Sequence, residues 1–238
     1  MDLRFLVAAL LVLLAGIPPA FAARLGGAYN VDDAEIGKLG SCEFETWGSF
    51  AANRDHIAVV SPACVVNLGG PVELGANLVD QRSNGDRDSF VSLTAKAVPI
   101  PIGQSGFGLA IAGAIFYDPR DRTGSGALLN IPVTFDLTDQ FRFNVNFGAQ
   151  FNTGDPRGLF TTGGVGFSWN FVPQYPQWSV LAEVYGLIGP GQAGPRYQSG
   201  VRYSPTKDID WDVIYGRNLT GESANWVTVA LTVRIGDN

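Results

Sequence analysis

The sequence predicts an all-β fold: a transmembrane, antiparallel, up-and-down β-barrel of about twelve strands behind a cleaved signal peptide. Three observations lead there. Segments of about ten residues alternate apolar and polar side chains, the period of two that sends successive side chains to opposite faces of a strand. The aromatic residues of the apolar faces gather toward the segment ends. An apolar leader of the export type precedes the first segment.

The leader comes first. "FLVAALLVLLAGI" is an apolar core too short for the ~18 residues of a spanning helix. In the following "PPAFA", Ala20-Phe21-Ala22 fits the small-x-small cleavage rule. Residues 1–22 are therefore expected to be removed as a signal peptide, and no Cys follows the core to suggest a lipoprotein anchor. Residues 23–40, "ARLGGAYNVDDAEIGKLG", show no period and are assigned to a periplasmic leader; residues 41–238 are assigned to an outer-membrane barrel.

The alternating segments are 41–50, 57–67, 72–80, 88–98, 106–117, 126–136, 140–152, 159–171, 177–188, 195–204, 209–218 and 225–235. Each has the length of a tilted strand crossing a bilayer. Short connections such as "LTD" and "SPTKD" alternate with more polar ones such as "QRSNGDR" and "NLTGESAN". An even-stranded barrel with both termini in the periplasm has this alternation of turns and outer loops.

"FRFNVNFGAQFN" (141–152) illustrates the two faces. Phe141, Phe143, Val145, Phe147 and Phe151 point one way; Arg142, Asn144, Asn146 and Gln150 point the other. On the apolar face Phe107, Phe135, Phe141, Trp169, Trp178, Tyr203 and Trp211 lie toward one end, and Tyr117, Phe151, Tyr197 and Tyr215 toward the other. Aliphatic residues such as Val133, Val165, Val184 and Val213 lie between them. This is the double girdle of a lipid-facing barrel, because amphipathic rings prefer the headgroup level. The opposite face mixes small and hydrogen-bonding residues, as a lumen requires. Arg142, Asn144, Asn146, Gln150, Glu183, Arg202, Asp210, Asp212 and Arg234 are expected to line it.

Pairing of the last two strands about "LTGESA" is expected to set Arg234 opposite Asp210 and Thr232 opposite Asp212. Closure would bring Glu43 and Glu45 to the other side of Arg234. Such a cluster serves either as a charged constriction or as a structural pairing of buried charges. Cys42 and Cys64 are the only cysteines. Outside the cytoplasm they most simply form one disulfide, closing a loop of about twenty residues and stabilising by roughly 3 kcal/mol; two buried thiols are the alternative.

The chain is 46% hydrophobic and 16% charged, with a net charge of -6. It has no Lys/Arg cluster of the kind nucleic acid needs, so no nucleic-acid partner is expected. One His and no C-x-x-C give no metal pattern, and no cofactor is expected. His56 with Ser49 or Ser61 is the material for a serine hydrolase, but no motif joins them. No catalytic residue is assigned and the chain is not expected to be an enzyme.

The stretch "GVRYSPTKDIDWDVIYGRNLTGESANWVTV", the preceding "AEVYG" and, more loosely, "FRFNVNFGAQF" and "NVDDAEIGKLGSCEFETW" resemble a family of proteobacterial outer-membrane barrels. That family comprises the transporters of the MetA pathway of phenol degradation. The resemblance covers about two thirds of the expected mature chain and implies an outer-membrane barrel passing small or hydrophobic solutes. It carries over no binding residue. One feature departs from it: such barrels end in an aromatic residue read during assembly, whereas Ile235 stands here before "GDN".

The expected function is passive passage of small solutes across a bacterial outer membrane, with membrane lipid, the barrel-assembly machinery and a small solute as partners. Its rivals are a structural barrel filled by its own side chains and leader, an outer-membrane lipid hydrolase using His56, and a soluble periplasmic lipid-binding barrel.

Overall fold

The computed structural model describes residues 28–83, 85–119, 123–153, 157–172, 174–188, 194–220 and 224–236. The signal peptide expected over residues 1–22 lies outside them. Twelve strands follow one another among the described residues: β1 (Cys42–Ala51), β2 (His56–Asn67), β3 (Pro71–Ser83), β4 (Asp86–Ile100), β5 (Phe107–Asp118) and β6 (Thr123–Thr138) form the first half. The second half is β7 (Phe141–Asn152), β8 (Gly158–Trp169), β9 (Trp178–Ile188), β10 (Arg196–Thr206), β11 (Ile209–Asn218) and β12 (Asn225–Ile235). Each pairs antiparallel with its sequence neighbours, and β1 pairs with β12 to close the barrel. Closure removes the unpaired edges that lipid could not hydrate.

β11 and β12 span the segments read from the sequence, and the other boundaries differ by at most three residues. The differences have a cause. β3 and β4 continue past the end of the apolar alternation through the pairs Asp80↔Ser89, Gln81↔Asp88, Arg82↔Arg87 and Ser83↔Asp86. Backbone pairing needs no apolar face, so the ladder runs on after the hydrophobic signal stops. There Arg87 donates two hydrogen bonds to the Asp80 carboxylate, at 2.9 Å each.

Pro62 and Pro132 lie inside strands, where each removes a backbone donor. The β2–β3 ladder accordingly lacks the two pairs between Val60↔Leu78 and Ala63↔Gly75, and the β5–β6 ladder the two between Leu109↔Val133 and Ala112↔Asn130, with the register kept across each gap. The other neighbour still pairs through Pro132↔Asn146, so the wall stays continuous. Gly106 makes the turn before β5 at φ 65°; a Cβ there would lie 2.5 Å from the Asp136 carbonyl oxygen. That positive φ and that close approach both require glycine.

The wall is inverted relative to a water-soluble domain. Leu93, Ile115, Leu129, Phe147, Val165, Val213 and Val229 are exposed on its outside, and Trp169, Trp178, Tyr203, Trp211, Tyr117, Phe151 and Tyr215 are exposed toward its rims. Glu45, Ser92, Thr134, Arg142, Asn144, Glu183, Gln198, Arg202 and Asp212 are buried inside. Cys42 and Cys64 stand directly opposite each other on β1 and β2 and form the expected disulfide, with Cα atoms 4.0 Å apart.

The rim at which β1 begins and β12 ends carries the five turns; we call it the turn end, and its opposite the loop end. Val165 pairs with Val145 on one side and Val184 on the other, in the middle of the apolar band. Val165→Arg is expected to destabilise the protein in lipid vesicles by ~2–4 kcal/mol, the cost of a cation at the midplane. Equilibrium denaturant unfolding measures it, and an unchanged midpoint would contradict lipid contact at this face.

Candidate functional site: the barrel lumen and its leader

The lumen is occupied by the chain's own leader. Residues 28–36 precede β1 and run along the inside of the wall, from β6 and β7 past β8 and β9 to β10 and β1. Their backbone polar groups need partners away from water; the wall supplies most, and Asp32 and Asp33 of the leader accept from the Asp33 and Glu35 N–H groups. Ala34 donates its N–H to Thr134 Oγ1 at 2.8 Å, and Asp32 to Asn146 Oδ1 at 2.7 Å. Asn30 and Val31 donate to the two oxygens of Glu183, each at 2.8 Å. Ala28 donates to Glu45 Oε1 at 3.1 Å, and its carbonyl accepts from Gln198 Nε2 at 3.0 Å.

Charge fixes the same path. Lys96 of β4 reaches Asp32 at 2.8 Å and Asp33 at 3.4 Å. Arg142 of β7 binds Glu35 at 2.6 Å and takes Asp136 through both Nε and Nη2. Arg202 binds Asp212 through Nε and Nη2, at 2.8 and 3.0 Å, with its guanidinium carbon 6.0 Å from the Tyr29 ring centre. Burial raises both the Asp32 carboxyl and the Tyr29 phenol above their usual ranges; Lys96 pulls the carboxyl back down.

Small residues give the leader its room. A Cβ at Gly164 would lie 2.7 Å from Val31 Cγ2, one at Gly200 would lie 2.8 Å from Tyr29 Oη, and one at Gly108 would lie 3.1 Å from Ala34 Cβ. Ala28 and Tyr29 also pack with Leu181, Ile214 and Ala230 in a buried apolar cluster, with Trp47 against it.

The residues expected to line the lumen all lie on the inner side of the wall. Arg142, Asn146 and Glu183 hold the leader, and Asn144 accepts from Thr134 Oγ1 at 2.6 Å. Gln150 sits nearer the loop end and donates to Asn152 at 2.8 Å. The register of the last hairpin differs from the expectation by two residues: Asp210 pairs with Thr232, and Asp212 with Ala230. Arg234 still reaches Asp210 diagonally at 2.8 Å and pairs across the closing seam with Glu43, also at 2.8 Å. Sequence reasoning did not single out Tyr29, Val31, Asp32, Asp33 and Glu35. The signal for them is "NVDDAE", an acidic run without a cation ahead of a wall containing buried arginines.

The hydrolase material does not assemble. Ser49 Oγ bonds Thr228 Oγ1 at 2.5 Å and Ser61 bonds Asn77, both inside the barrel. His56 pairs with Phe50, one residue out of phase with Ser49, so it points to the other face.

Two spaces remain beside the leader. One, about 240 Å³, opens toward the loop end and is lined by Asn130, Gln150, Thr162, Tyr185, Gly186 and Arg196. The other, about 510 Å³, lies mainly against β1–β5, where the leader meets the wall at Glu45, Lys96 and Gly108.

The family described as "Uncharacterised conserved protein UCP029691" has a model that matches residues 10–235. The chain belongs to this family. No curated protein matches it at a significant level. Among solved structures, the barrel is similar to the KdgM porin in complex with disordered oligogalacturonate, at 11% identity and a TM-score of 0.60 over 80% of this chain and 98% of that one. The NanC porin matches at 10% identity with the same coverage and TM-score. An outer membrane channel from Pseudomonas putida F1 matches at 9% identity and a TM-score of 0.60, over 85% of this chain and 98% of that one. At these identities the likeness is one of fold.

A cysteine replacing Val31 is expected to react slowly with a membrane-impermeant maleimide, and many times faster when Gly164→Leu fills the space Val31 occupies. Equal rates in the two backgrounds would mean that the leader is not held there. Arg142→Met is expected to lower stability by about 3–5 kcal/mol, because it leaves three carboxylates of Asp33, Glu35 and Asp136 facing one another without their cation. Chemical denaturation in detergent or lipid measures it.

Proposed function

We propose that the protein is a passive channel for small solutes in a bacterial outer membrane, narrowed by its own leader. The apolar outer band and aromatic rims support the membrane location. The observation that supports the function is the arrangement of the lumen: the leader makes most of its hydrogen bonds with β6–β10 and leaves a space of about 510 Å³ beside β1–β5. A barrel stabilised only by filling would spread its plug across the bore. The expected removal of residues 1–22 and the entry of the leader from the turn end, taken as periplasmic, complete this reading. The sequence resemblance to transporters of the MetA pathway adds small aromatic compounds as a cargo class.

The second reading is a structural barrel in which the leader and side chains block all flow. The number of polar bonds holding residues 28–35 favours it. Planar-bilayer recording separates the two. The refolded mature chain is expected to give small, steady single-channel currents, and Glu183→Gln, which weakens the grip on Asn30 and Val31, is expected to give larger or more frequent openings. Absence of current from both proteins would establish the filled barrel instead.

A further inference from the structure

We infer that the passage along β1–β5 selects small organic cations, solutes carrying an ammonium group beside an apolar or aromatic body. This rests on the channel reading above and names its cargo. Two independent features of the passage carry it.

The first is charge. Near the turn end the passage is lined by Glu43, Glu45 and Glu73 of the wall and by Asp32, Asp33 and Glu35 of the leader, against Lys96, Arg202 and Arg234. All three cations are engaged: Lys96 with Asp32 and Asp33, Arg202 with Asp212, and Arg234 with Glu43 and Asp210. Two of those carboxylates, Asp210 and Asp212, lie outside the lining, yet the lining remains richer in acids than bases. Arg142, outside the lining, takes Glu35 at 2.6 Å and Asp136 at 2.6 Å and stands 3.7 Å from Asp33 Oδ2, which is buried and accepts no hydrogen bond; even with Arg142 counted, the carboxylates outnumber the cations. Rings of carboxylates in a narrow, low-dielectric bore favour cations over anions.

The second is the opposite end of the same passage. Glu45 pairs with Ser61, and one step nearer the loop end Trp47 pairs with Val59. Val59 pairs with Val79, and Val79 with Phe90. Phe90 meets Phe116 edge to face, ring centres 6.3 Å apart. The loop-end half is therefore a patch of Trp47, Val59, Val79, Phe90 and Phe116 on the inner face of a barrel whose other inner residues are mostly polar or small. Simple salts have no use for such a patch. A solute with an apolar body does, and an ammonium group also gains from an aromatic face before it reaches the carboxylates. Ser61, Asn77 and Ser92 lie between the halves, with Asn77 Nδ2 donating to Ser92 Oγ at 2.9 Å.

The test uses the refolded mature protein in planar bilayers. With benzyltrimethylammonium chloride on one side and sodium benzoate on the other, the reversal potential is expected to show the organic cation favoured by about tenfold or more over the organic anion. Glu73→Gln should reduce that preference several-fold. Phe90→Ala should reduce the permeability of benzyltrimethylammonium relative to tetramethylammonium while leaving the potassium-over-chloride preference unchanged. Channels that conduct but favour benzoate, or discriminate neither charge nor ring, would overturn the inference and leave the channel reading standing. Absence of current in every salt would overturn the channel reading and this inference with it.

Discussion

The arrangement of the lumen depends on a carboxylate accepting backbone amides. Glu183 lies almost wholly inside the wall, where an isolated charge is costly. It accepts two consecutive leader N–H groups, from Asn30 and Val31, and a third hydrogen bond from Gln198 at 2.8 Å. The same bonds answer the opposite difficulty, since leader amides placed in a barrel need acceptors that lipid and neighbouring strands do not supply. Wall and leader thus each resolve the other's unsatisfied groups. Glu45 with Ala28 repeats the device at the far end of the segment, and Asn146 does so in the middle, donating to the Asp32 carbonyl while accepting its N–H.

Those bonds require close approach, and side-chain size along the wall sets where it is possible. Gly164 and Gly200 lie on the inner faces of β8 and β10, and Gly108 on β5, where the leader's Val31, Tyr29 and Ala34 come closest. Between β1 and β4 the inner face carries Trp47, Val59, Val79 and Phe90 instead. The leader is kept to one side by a match of small wall residues to its own bulk, reinforced by Arg142 and Lys96 at its acidic residues. The larger open space lies beside this stretch of wall.

Much of the architecture was legible in the sequence because a transmembrane strand must satisfy two constraints at once. Alternation in "FRFNVNFGAQFN" assigned each side chain to a face, and the heights of Tyr117, Trp178 and Trp211 marked the rims. The two-residue slip in the last hairpin shows the limit of that logic. Alternation fixes which face a residue occupies but tolerates a shift of two, which leaves every face unchanged. Asp210 and Arg234 were therefore placed on the correct face and near each other, but not in the correct register. The leader was illegible for a different reason. Residues 28–36 have no regular structure and hence no period, and their position is written in groups scattered over six strands. Only the acidic run "NVDDAE", set against buried cations such as Arg142 and Lys96, hinted at it.

The leader's partners lie on strands far apart in the sequence, from Glu45 of β1 to Gln198 of β10. The leader's bonds also do not resemble those that hold the wall. The wall is a ladder of backbone pairs backed by lipid-facing aliphatics, whereas the leader is held by polar side chains and one small apolar cluster of Ala28, Tyr29, Leu181, Ile214 and Ala230. Wall and leader are thus held by different kinds of contact but are coupled, because buried wall charges such as Glu183 and Arg142 take their partners from the leader.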